Sequence, residues 1–327
     1  EKGIQTFLGP QTTLEGKLVF EGSVRLDGHL TGSIETKDGL VIVGEKAVIH
    51  ADIVARSATV SGEVKGNIRA TDRIELHPPA RVFGDLYYGD VIRFYGEYLW
   101  ADAFSEELTP LPIDVNRGDI LNLFLDVNLF EFQNSPVVVR LGRQELLFGS
   151  QRLISTLDWA NTRRTFEGVR VMRRGEKWDF DAFFAQFVLP LASELDRTDE
   201  NQDFAGAWLT YRPEKGRFLD FYYLFLDNSN NIVQQQIERA PFEAHTFGSR
   251  WTGDRNGWLW DYELAMQVGD RGSADLVAGA ATAGLGRSYK DRRLSPTFWV
   301  YYDYASGDPD PNEGDFNTFN QLYPFGH

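Results

Sequence analysis

The stretch Val24-Arg-Leu26-Asp-Gly28-His-Leu30-Thr-Gly32-Ser-Ile34 returns as Ala58-Thr-Val60-Ser-Gly62-Glu-Val64-Lys-Gly66-Asn-Ile68, with every apolar and glycine position matched at an offset of 34. A fixed period constrains architecture before local propensity does, because each unit must bury its apolar face on a neighbour like itself. Two coils of about 17 residues produce that offset. Two-residue alternation turns Leu26, Leu30 and Ile34 inward and Arg25, Asp27 and His29 outward, and glycine corners supply the bends between short strands. Residues 1–86 are therefore expected to wind into a narrow right-handed β-helix with hydrogen-bonded rungs. Coils this short cannot build the long-looped groove of a polysaccharide-cleaving β-helix, so Arg25, Asp27, Glu63 and Lys65 read as a solvated face.

After residue 86 the composition changes. Residues 1–86 hold three aromatics, Phe7, Phe20 and Phe83, whereas all 8 Trp, all 13 Tyr and the other 21 Phe follow them. The first part carries 10 basic and 12 acidic side chains and the remainder 23 and 36, so the formal charge of −15 belongs mostly to the second part. An acidic chain without a basic, aromatic-interleaved stripe excludes nucleic acid as a partner. With no Cys, thiolate chemistry and disulfides are excluded. No apolar run is long enough for a spanning helix. Glu1 opens the chain without an initiator Met or a leader, which reads as a removed leader or a fragment.

Several segments of the first part, Thr6-Phe-Leu-Gly-Pro10, Glu21-Gly-Ser-Val-Arg-Leu-Asp-Gly28, Val60-Ser-Gly-Glu-Val-Lys-Gly66 and Glu75-Leu-His-Pro-Pro-Ala-Arg-Val-Phe-Gly84, resemble the bactofilins over residues 5–86. That resemblance implies a cytoskeletal module that self-associates through its β-helix ends without nucleotide, since an uncapped β-helix presents unpaired backbone groups there. The pattern stops at Leu86, short of the full bactofilin run of coils.

The second part alternates over long segments. Across 119–130 one parity holds Leu121, Leu123, Leu125, Val127 and Leu129 and the other Asn122, Asp126 and Asn128. Across 257–269, Trp258, Trp260, Tyr262, Leu264, Met266 and Val268 oppose Asp261, Glu263 and Gln267. Similar segments give about eleven strands of ten or more residues, longer than soluble strands usually run. Short polar connections (174–177, 212–216, 253–257) alternate with long ones (149–163, 190–202, 226–242), as in an outer-membrane barrel. Trp100, Trp178, Trp258, Trp299, Tyr301 and Tyr302 are candidates for its aromatic girdles. A soluble β-sandwich also alternates, but rarely with so many aromatics on strands of this length.

Three motifs, Arg140-Leu-Gly-Arg-Gln-Glu-Leu-Leu-Phe-Gly149 with Arg152-Leu-Ile-Ser155, Asp158-Trp-Ala-Asn-Thr-Arg-Arg-Thr-Phe-Glu-Gly168, and Tyr302-Asp-Tyr-Ala-Ser-Gly-Asp308, resemble the alginate-export family of outer-membrane porins over residues 90–327. The resemblance implies passage of an anionic polysaccharide through a lumen carrying basic side chains, in contact with outer-membrane lipid. The fold class expected for the whole chain is all-β: a β-helix over 1–86, then an antiparallel barrel over 87–327. Eleven strands cannot close a barrel that needs an even number, so its closing strands are expected to be missing.

Parity sets Arg140 and Gln144 opposite Val137, Val139 and Leu141, and Arg164 and Arg170 opposite Val169 and Val171. These side chains face the lumen in this reading, where guanidinium groups make forked hydrogen bonds to uronate carboxylates. Arg93, Arg152 and Arg163 are further substrate-binding candidates. The alternative is that these arginines pair internally with Asp126, Glu145, Glu167, Asp261 or Glu263 in a transverse ladder. Asp308, Asp310, Asn312 and Asp315 have alternate oxygen ligands in the manner of a calcium loop, interrupted by prolines, and an acidic loop is the plainer reading. Neither a cofactor motif nor a catalytic constellation stands out, so no enzymatic activity is expected. Three functions fit these observations: a porin with a β-helical extension in the periplasm, a polymerising scaffold with a membrane-anchoring β-region, and an artificial or mis-assembled fusion of two gene fragments. The bactofilin part alone would suggest the cytoplasm.

Overall fold

The repeat winds into a β-solenoid in the computed structural model, which describes residues 6–89, 91–103, 111–230, 233–234, 237–238, 241–308 and 315–326. Every described regular element is a strand. The chain divides into two compact units, one formed by Glu1–Gly96 with Leu123–Leu129 and the other by Glu97–Asn122 with Phe130–His327.

In the first unit, parallel pairings stack each coil on the one before. Leu26 pairs with Val43 and Val43 with Val60, two steps of 17 residues, while Gly32 pairs with Ala51 across a step of 19. The 34-residue repeat is thus two coils, with the unequal lengths of neighbouring coils absorbed at the corners. The inward parity holds: Val24, Leu26, Leu30, Ile34, Ile49, Ile53, Val60 and Ile68 are fully buried in one core. Glycine is obligatory where the coils stack closest. Gly32 sits at φ +139°, and a Cβ there would lie 1.9 Å from the Gly16 carbonyl oxygen; Gly66 at φ +147° meets Ala51 in the same way. The last rung strand, Leu86–Tyr88, is paired on both edges, parallel with Ile68–Ala70 and antiparallel with Ile92–Phe94.

Among the described residues after 90, eleven strands run nine to seventeen residues each. In the second unit nine of them, from Ser135–Gln144 to Thr297–Ala305, form a meander in which each is antiparallel to the next. Their length comes partly from segments expected as connections, since 197–202 and 253–255 are strand. Tight connections gather at one end: Gln133–Asn134 and Asn256–Gly257 are two-residue turns with both φ values positive, the geometry that matches strand twist. Longer segments, 145–165 and 229–241, leave the other end, where 272–273 is also tight.

The strands are inside-out relative to a soluble sheet. Along Trp258–Arg271, Asp261, Glu263 and Gln267 are buried, whereas Trp258, Leu264 and Met266 are more than half exposed. Phe184, Phe221, Phe247, Trp251, Val277 and Leu285 continue the exposed apolar face on neighbouring strands. A row of outward residues follows the register across the meander, Trp178 to Tyr211, Leu219, Trp251, Tyr262, Ala283 and Tyr302, near the tight-turn end. This is the aromatic belt expected of a lipid-facing wall. Tyr301 does not join it, since its ring lies 5.9 Å from the Arg152 guanidinium on the inner side. Leu121 also departs from its expected parity and is buried, as are Asn122 and Phe124 on the same strand.

Candidate functional site

The inner side of the second unit is not uniformly wet. Phe166, Phe183, Phe204, Trp208, Tyr222 and Leu224 are buried there, on strands whose other face is also apolar. What covers them is the segment 145–165, whose Leu146, Phe148, Leu153 and Ile154 are buried against that aromatic floor, together with Phe319 and Tyr323 from 315–326. The two covering segments are tied together: Ile154 bridges to Tyr323, and the Trp159 indole donates to the Phe325 carbonyl at 2.6 Å. Period-2 reading could not find this, because it is the apolar residues between strands that determine which part of the inner face is dry. The apolar residues Leu146, Leu147, Phe148, Leu153 and Ile154 inside a connection between strands were the available signal.

One charged latch pins the covering segment to the wall. Arg152 donates to Glu263 at 2.9 Å, to Asp261 at 3.0 Å and to Ser150 at 2.8 Å. Arg250 reaches the same Asp261 at 2.7 Å, and the Tyr222 hydroxyl donates to Glu263 at 3.0 Å. Two carboxylates and two guanidinium groups share one partly buried network, the geometry in which charge-assisted bonds are strongest.

The other expected binding residues fall into distinct settings. Arg170 is buried and donates to Asp181 at 2.7 Å, with Arg174 on the same carboxylate. Arg140 stands directly across from Arg170 on the neighbouring strand. Gln144 is buried and donates to the Gly142 carbonyl at 3.4 Å. Arg163 forms an ion pair with Glu145 at 2.8 Å, and burial first, opposed by Arg163, pushes the Glu145 carboxyl up from its ordinary value. Arg164 has no carboxylate partner among the described residues. It donates to the carbonyls of Pro324 and Ser155 at 2.9 and 3.2 Å, and burial pushes its guanidinium down to about 10. Arg93 belongs to the first unit, clamped by Asp85 at 2.9 Å and Asp126 at 3.0 Å. The internal ladder is thus realised at Asp126, Glu145, Asp261 and Glu263, and at Glu167, which pairs with Arg143.

Of the calcium-loop candidates, Asp310 and Asn312 lie outside the described residues. The Asp308 amide donates to Thr318, and Asp315 opens a two-residue strand beside Asp275. Among the described residues no group of three or more His, Asp or Glu is placed to hold a metal ion. Among the described residues no helix is long and apolar enough to cross a membrane, which does not bear on crossing by strands.

Two family models match the chain. The model for alginate export covers residues 61–327, and the model for polymer-forming cytoskeletal proteins, the bactofilins, covers 6–96, so the two overlap across the last coils of the solenoid. Bactofilin BacO of Myxococcus xanthus (strain DK1622) is 32% identical over 81 residues, 25% of this chain and 64% of that protein. Bactofilin BacP of the same organism is 33% identical over 81 residues, 25% of this chain and 33% of its own length. The chain therefore spans less than two thirds of either curated relative.

Proposed function

Because the chain belongs to the alginate-export family, matched over 61–327, with a bactofilin-like solenoid ahead of the barrel-type strands, we propose that it is an outer-membrane conduit for polysaccharide. The observation that carries this reading is the inversion along Trp258–Arg271 and its neighbours, with charged and amide side chains buried and leucine, methionine and tryptophan outside. Hydrocarbon on the outer face and a polar path within require that arrangement, whereas a soluble sheet is destabilised by it. Transport is passive in this reading, and no bond is made or broken. The solenoid lies in the periplasm, where barrel N-termini reside.

Acidic polymer is the first solute class to consider. Arg164, without a carboxylate partner among the described residues, is the inner guanidinium best placed to receive a uronate, and Arg170 would receive one by exchange with Asp181. Reconstitution of the chain into planar bilayers tests this. Ion current blocked by an oligouronate, with the block weakened several-fold by Arg164→Ala, is the expected result. Absence of current, or a block indifferent to Arg164, overturns it.

A second reading, a self-associating scaffold anchored by the β-region, is favoured by the stacked parallel rungs from Thr6–Leu8 to Leu86–Tyr88. Filaments from the whole chain in lipid, seen by electron microscopy without any conductance, would support it over the conduit.

A further inference from the structure

Two rows of side chains cross the inner side of three neighbouring strands. Register sets Ala265 opposite Ala280 and Ala280 opposite Ala305; two residues along, it sets Glu263 opposite Thr282 and Thr282 opposite Asp303. Such rows lie about 7 Å apart on one face of a sheet. The floor they make is apolar along one edge and lined with acceptors along the other. Because alanine fills little space, a cleft of about 540 Å³ opens above it, walled by Phe319, Ser150 and Arg152.

The acceptors have capacity to spare. An ionised carboxylate offers about four lone-pair sites and donates nothing. Glu263 receives Tyr222, Ser150 and Arg152, while Asp303 receives Thr282 at 2.6 Å on one oxygen and has no donor among the described residues on the other. A ligand suited to this cleft therefore donates hydrogen bonds along one edge and lays a nonpolar face on alanine and phenylalanine. A ligand carboxylate would be repelled by Glu263 and Asp303, and the guanidinium that lines the cleft, Arg152, is already held by two carboxylates.

We propose that this cleft is a subsite for an uncharged pyranose unit, its hydroxyls donating to Asp303 and Glu263 and its C–H face resting on the row Ala265–Ala280–Ala305. The proposal deepens the conduit reading and rests on it only for the subsite's place along a polymer's path; binding itself requires no flux.

The test is calorimetric titration of the full chain in detergent micelles with a neutral gluco-hexaose and with a hexauronate, alongside bilayer conductance. The hexaose binds, and in the Arg164→Ala background, which removes the separate uronate site, the hexauronate binds at least tenfold more weakly. Ala280→Leu, which fills the floor without changing charge, abolishes hexaose binding, and Asp303→Asn, which removes the charge at the cleft's edge, narrows the discrimination. Circular dichroism checks that both variants retain their strands, and Asp303→Asn alone suffices should Ala280→Leu lose them. Equal or tighter hexauronate binding in the Arg164→Ala background, an unchanged hexaose affinity in Ala280→Leu, or an unchanged preference in Asp303→Asn overturns the subsite. Selective hexaose binding without current leaves the subsite standing and removes the conduit; current without hexaose binding does the reverse.

Discussion

At the scale of single residues, three positions carry most of the argument. Gly32 is held at positive φ with the Gly16 carbonyl where a side chain would begin. Gly32→Ala forces the coils apart and costs about 3 kcal/mol, visible as a lowered thermal midpoint of the solenoid signal. Arg152 neutralises two buried carboxylates at once. Arg152→Ala leaves Asp261 with Arg250 and strands Glu263, a loss of about 3 kcal/mol, and it frees 145–165 to proteolysis without altering the strand content. Asp196 is pushed up to about 6, first by burial and then by its hydrogen bond with Asp119. A raised carboxyl binds more protons folded than unfolded between its ordinary value and 6, so this group's contribution falls as pH rises through that window and stays low above it. Thermal midpoints measured in detergent from pH 4 to 8 should decline across the window, and Asp196→Asn should flatten the decline. Alternation groups Arg170 and Gln144 each on one face of its strand, and both are buried, because parity is a local property of a strand. It could not give the partner of Arg170, because Asp181 reaches it from an adjacent strand whose register depends on turn lengths.

At the scale of elements, the solenoid was the most legible part of the chain. A repeat writes its own neighbours into the sequence, so the buried column Leu26, Val43 and Val60 follows from period alone. The long strands after residue 90 were legible in number and, for the most part, in outward face, since each strand must satisfy the same two environments. Segments 145–165 and 315–326 were not, because a connection that folds inward obeys no period and gains its order from the aromatic floor it covers. Leu264, 63% exposed in mid-strand, marks the outward face. Leu264→Arg should reduce folding into liposomes by about 2–4 kcal/mol while leaving solubility in denaturant unchanged, as charge at mid-bilayer does. A soluble sandwich would barely notice the substitution.

At the scale of the whole molecule, two families meet in one polypeptide, and their matches overlap across 61–96 instead of abutting. Aromatic usage changes within this overlap, after residue 86, because a narrow coil has room for valine and alanine, whereas a lipid-facing wall uses tryptophan and tyrosine at its borders. Trp178, Trp251 and Trp258 are 43%, 50% and 52% exposed and Trp208 only 4%. In vesicles made with brominated lipid, fluorescence from the first three should be quenched and that from Trp208 spared, as single-tryptophan variants would resolve. Equal quenching of all four, or of none, would count against a membrane wall. The strand Leu86–Tyr88 has a broader consequence. With one flank given to the coil beneath it and the other to the returning hairpin, it has no vacant amides or carbonyls to offer a newcomer, so templated growth along that line ends within the polypeptide's own fold.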